Sequence, residues 1–87
     1  MADEAELVEH NMVLRQALHK YQERDAIHKG LWAEDEPHEL SGQALHKAKR
    51  LDHHCRPGQE NPVQAIDDAL DLINYAAFTI RRLSLDG

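Results

Sequence analysis

Apolar residues recur along this chain at helical spacing in three stretches, with no sustained alternation of the kind a strand requires. In the first stretch Leu7, Leu14, Leu18 and Tyr21 share one side, flanked by Val13, Ala17 and Ile27, and predict a helix over about residues 3–29. Asp3 can cap its start and Gly30 can end it. Residues 31–40 read as an acidic loop broken by Pro37. Leu40, Ala44, Ala48 and Leu51, with Leu45 beside them, predict a second helix over about 41–54, with Ser41 as its N-cap. Arg56 to Asn61 reads as a turn, and Asn61 followed by Pro62 pairs a favoured N-cap with a favoured first helical residue. The third helix, over about 62–83, carries two adjoining stripes: Val63, Ile66, Leu70, Ile73, Ala77 and Ile80, then Ala65, Ala69, Leu72, Ala76 and Leu83. Two stripes predict burial over most of its circumference. The expectation is an all-α chain, residues 1–87 forming one helical domain without internal repeats.

Size adds a second expectation. A chain of 87 residues with 5% aromatics builds its core from Leu, Ile, Val and Ala, and its stability is slim. Pairing of identical chains is the usual remedy, so the bundle is expected to be completed by homo-oligomerisation. A net charge of −6 disfavours a nucleic-acid polymer as partner, although a local basic patch can hold a small phosphorylated ligand. The single cysteine, Cys55, excludes an intrachain disulfide and fits a reducing cytoplasm. The acidic start lacks an apolar signal region, and no apolar run is long enough to span a bilayer, so no membrane partner is expected.

The candidate chemistry lies in helices two and three. Asp67, Asp71, Asn74 and Phe78 are four, three and four residues apart and share a face, which Asp68 and Tyr75 overlap. Like charges one turn apart cost helix stability unless something offsets them, and a divalent cation such as Mg²⁺ is one candidate. Favourable contact of these acids with the helix N-terminus, facing solvent, is the plainer reading; it works better for Asp67 and Asp68 than for Asp71 and Asn74. On helix two, Lys47 and Arg50 share a face with His54 one turn beyond, a row that can grip phosphate. A solvated row of cations near a helix C-terminus would look the same. The seven histidines do not form a zinc pattern: His10, His19 and His28 rotate away from one another, and His53 and His54 point apart.

The run Asp67-Asp68-Ala69-Leu70-Asp71-Leu72-Ile73-Asn74-Tyr75-Ala76 resembles the signature of a nucleotide-modification-associated domain family of phages and bacteria, itself similar to the MazG-like all-α NTP pyrophosphatases. Lys47-x-x-Arg50-Leu51 is similar to a basic element of that family, and His28-x-Gly30-x-Trp32 loosely resembles a Tyr-Gly…Trp element. The resemblance spans roughly residues 25–83. It implies a helical bundle, usually a dimer, acting in the cytoplasm of a bacterial or phage-infected cell. It also implies Mg²⁺ held over nucleotide phosphates: Asp68 and Asp71 as catalytic metal ligands or water-orienting groups with Asp67 close by, Lys47 and Arg50 on phosphate, Trp32 or Tyr75 stacking on a base, and Asn74 bonding base or sugar. The activity implied is a Mg²⁺-dependent nucleoside triphosphate pyrophosphohydrolase. Two departures keep alternatives open. His46 stands where the family has an acidic residue, and the family's further Glu-x-x-Glu has only Glu6/Glu9 or Glu36/Glu39 as counterparts. A non-catalytic protein that sequesters a nucleotide messenger, or a helical protein-interaction module, would need no such pair.

Overall fold

The structure, a computed structural model, describes residues 3–28 and 34–86, and among these the chain forms three helices and no strand. They are α1 (Glu4–His28), α2 (Pro37–His54) and α3 (Pro62–Asp86). The expected caps of the outer helices are in place. The Asp3 carboxylate accepts from the Glu6 amide at 2.8 Å, and Asn61 Oδ1 accepts from the Gln64 amide at 3.2 Å. Gly30, the expected stop of α1, lies outside the described residues.

The second helix begins four residues earlier than expected. Pro37 does not break it; it opens it, because proline at the first helical position loses no hydrogen bond. Glu36 occupies the N-cap position without a side-chain cap, and the Ser41 hydroxyl donates to the His38 carbonyl inside the first turns. Ser41 is therefore not the N-cap. The third helix continues past Leu83 to Asp86.

α2 and α3 form an antiparallel hairpin. At one end the Asn61 amide donates to the His54 carbonyl across a turn in which Gly58 takes φ 82°, a left-handed conformation suited to glycine. At the other end Arg82 Nε donates to the Asp35 carbonyl. Leu40 is fully buried at the start of α2, and Ala65 on α3 is buried too. α1 packs on α3 through its second half, with Ala17 buried and the Tyr21 ring 5.1 Å from that of Phe78.

Two expectations about packing are corrected. The stripe Leu7, Leu14 and Leu18 is exposed; the face of α1 that docks is the one carrying Ala17, Lys20, Tyr21 and Arg24. Likewise α3 is not covered around most of its circumference, because Val63, Ile66, Ala77 and Ile80 of its first stripe are exposed. Both corrections have one cause: the helices meet through polar pairs, which rotate the apolar stripes outward. None of the described helices is long and apolar enough to cross a membrane.

Candidate functional site

The acidic residues of α3 lie where all three helices meet. Asp68 is 0% exposed and Asp71 2%, while Asp67 is half-buried at the rim. The solvent-facing reading therefore fails for Asp68 and Asp71. One oxygen from each of the three carboxylates falls within 4.8 Å of the others. Two carboxylates so deeply withdrawn from water must be compensated by positive charge.

The compensation comes from side chains of the flanking helices. From α1, Lys20 bridges Asp67 and Asp71, with its Nζ 2.8 Å from Asp71 Oδ1, and Arg24 reaches the same oxygen at 3.2 Å. From α2, Lys47 Nζ lies 2.9 Å from Asp71 Oδ2 and 3.9 Å from Asp68 Oδ1. Arg50 Nε stands 3.4 Å from Asp68 Oδ1, and His54 Nε2 3.8 Å from Asp68 Oδ2. The repulsion between Asp67 and Asp71 is thus relieved within the chain by an ammonium group.

The two buried aspartates differ. Asp71 is a hub gripped by three cations from two helices. Burial by itself raises its pKa, but the ammonium groups of Lys20 and Lys47 and the nearby Arg24 outweigh that, so it titrates below its ordinary 3.8. Asp68 is the less satisfied. Neither of its oxygens accepts a hydrogen bond, and its cationic neighbours stand off at 3.4–3.9 Å. At Asp71 Oδ2 the Lys47 ammonium is close but off the hydrogen-bonding direction, so that contact is Coulombic. A buried carboxylate with two unbonded oxygens is unusual and calls for an explanation.

Other site residues expected from the sequence are placed as follows. Lys47, Arg50 and His54 do share a face and converge on Asp68. Asn74 Nδ2 donates to the Ala17 carbonyl at 2.9 Å, tying α3 to α1. Tyr75 is half-buried, edge-on to Phe78 with ring centroids 5.9 Å apart. Trp32 lies outside the described residues. Glu6 and Glu9 sit exposed on the first half of α1, while Glu36 and Glu39 open α2, two turns or more before Lys47. Neither glutamate pair lies alongside the aspartates within one chain.

Lys20 and Arg24 went unread in the sequence. Their signal was present: Ala17, Lys20, Tyr21 and Arg24 fall at three-, one- and three-residue steps on one helical face, two cations interleaved with packing residues. No protein-family model, curated protein or solved structure matches this chain.

Proposed function

We propose that this chain binds a phosphorylated nucleotide at the junction of its three helices, with Mg²⁺ held by Asp67, Asp68 and Asp71, and that it works as a homo-oligomer. The observation that carries the reading is Asp68, a fully buried carboxylate whose two oxygens accept no hydrogen bond, beside two more carboxylates. The fit of the donor set to Mg²⁺ is reasonable: hard oxygen ligands, and a spread of 4.8 Å that is near the roughly 4.2 Å across one Mg²⁺ ion. Lys20 and Lys47 compete for the same oxygens. A metal–phosphate pair relieves that competition, because phosphate offers those ammonium groups a new anion.

In this arrangement Asp68 is the principal metal ligand and Asp67 the one nearest solvent. Asp71 keeps the helices together while contributing charge. Lys47, Arg50 and His54 face the metal position from α2 and turn outward to phosphate; Arg50 is the best placed, since it is partly exposed and its guanidinium can hold phosphate oxygens in pairs. Tyr75 stacks on the base and Asn74 Oδ1 accepts from it. When bound, Mg²⁺ neutralises phosphate charge and lowers the pKa of a bound water.

Pyrophosphohydrolysis of a nucleoside triphosphate is the catalytic form of this reading. Binding without turnover, as in a protein that sequesters a nucleotide messenger, is the second form, favoured by the distance of Glu6/Glu9 and Glu36/Glu39 from the cluster. Calorimetric titration with nucleoside triphosphates and cyclic dinucleotides, with and without Mg²⁺, followed by chromatography of the ligand, separates them. Mg²⁺-dependent heat with cleaved ligand supports the enzyme, and intact ligand supports the binder. No heat with any ligand in either condition overturns both and leaves an interaction module.

A further inference from the structure

The apolar residues that α3 leaves exposed are not scattered. Val63, Ile66, Leu70, Ile73, Ala77 and Ile80 follow one another at three, four, three, four and three residues, the a and d positions of a heptad repeat. Within the single chain this seam is open: Val63 is 81% exposed, Ile66 58% and Ile80 65%, with Leu70 and Ile73 half-buried. The first half of α1 has the same character. Every residue from 3 to 16 is exposed, although the segment holds Leu7, Val8, Met12, Val13 and Leu14. A helix of that length without tertiary cover is marginal in water. Between the two runs lies an open groove to which Met12, Ile66 and Leu70 contribute apolar surface among polar residues of α1.

The amount of open surface says what covers it. The chain exposes 6579 Å², whereas a folded monomer of 10.0 kDa is expected to expose about 5,200 Å². Its radius of gyration is 14.4 Å, against about 12 Å for a compact domain of this length. The excess of roughly 1,300 Å² is more than the ~800 Å² each partner buries in a standard interface and is in the range of obligate homodimers. Heptad seams are also self-matching, since identical a and d rows interlock about a two-fold axis.

We infer that a second copy of this chain covers the α3 seam, the two copies packing α3 against α3 with the first half of α1 folded over the junction. The inference names the surface for the oligomer in the reading above and does not depend on its ligand. Asp67 is the residue that joins the two: it follows Ile66 on the seam's edge and also belongs to the acidic cluster. Each site therefore opens beside the partner's α3.

Sedimentation equilibrium of the chain, and of Ile66→Glu, Val63→Glu and Leu45→Glu, tests this. Leu45 is an equally exposed apolar residue on α2, outside the seam. The wild type and Leu45→Glu are expected near 20 kDa, twice 10.0 kDa. Ile66→Glu and Val63→Glu are expected to be folded by circular dichroism and to weaken the dimer at least a hundredfold. A wild-type mass near 10 kDa at micromolar concentration overturns the oligomer altogether. A dimer that survives both seam substitutions overturns the seam alone, and neither result bears on nucleotide binding.

Discussion

The two faces of α3 are built the wrong way round for a monomeric domain. Toward α1 and α2 the helix buries Asp68 and Asp71 among lysines and arginines; away from them it exposes Val63, Ile66 and Ile80. Burial of apolar area at about 25 cal/mol per Å² is the main favourable term in folding, whereas buried ion pairs at best repay their desolvation. A single chain that commits its helix contacts to charge and leaves Val63, Ile66 and Ile80 in water is incompletely stabilised. The difference is what the two proposals above account for: a charged junction that also serves a ligand, and an apolar face covered by a second copy.

That contrast can be broken most sharply at Asp71. Asp71→Ala removes the shared anion of Lys20, Lys47 and Arg24 and leaves three cations facing one another at a helix junction. A loss of about 3–5 kcal/mol is expected from urea unfolding. A loss below about 1 kcal/mol would mean that the junction does not hold the helices together.

Acid should reproduce this effect in part. The folded-state pKa of Asp71 is depressed, so its contribution is present above its ordinary value of 3.8 and is lost as pH falls through the lower folded value. Urea midpoints measured from about pH 5 down to about pH 2 should fall in the wild type, and less steeply in Asp71→Asn, which has no such proton to take up. Parallel curves would show that another group dominates the acid limb.

Smaller effects sharpen the picture. Asn74→Ala deletes the bond to the Ala17 carbonyl and should cost about 1–2 kcal/mol, loosening α1 first. Amide hydrogen exchange would then rise in α1 ahead of the α2–α3 hairpin; a uniform rise would contradict the placement of that bond. Asp68→Asn is expected to cost about 1 kcal/mol or less. Its neighbours stand beyond hydrogen-bonding geometry, and the amide removes the desolvation of a charge. Equal losses at Asp68 and Asp71 would erase the distinction between ligand and hub.

How much of this could be read from the sequence follows from the range of the interactions. Helix positions and the Asp3 and Asn61 caps depend on neighbours within four residues, and they were legible. Pro37 was misread because proline marks a break and a helix start with the same letter; only the backbone conformation decides. The cationic row of α2 was visible, as was the acidic run of α3, but not that they meet. Least legible was Lys20, whose partner Asp67 lies 47 residues away. From spacing alone, the Asp67–Asp71 repulsion asked for a cation without saying whether it would be a metal or a lysine. The same distance effect hid the packing of α1, since a stripe of leucines does not reveal that an adjoining face of charges docks instead.

The role of Asp68 as a metal ligand is tested most directly, and without any nucleotide, by titration of Mn²⁺ into the chain followed by electron paramagnetic resonance. Mn²⁺ prefers the same hard oxygen donors as Mg²⁺. One site per chain is expected in the wild type, weakened at least tenfold in Asp68→Asn while the unfolding midpoint stays close to that of the wild type. Absence of Mn²⁺ binding, or binding that Asp68→Asn leaves untouched, would contradict the claim and return the acidic cluster to a purely structural role.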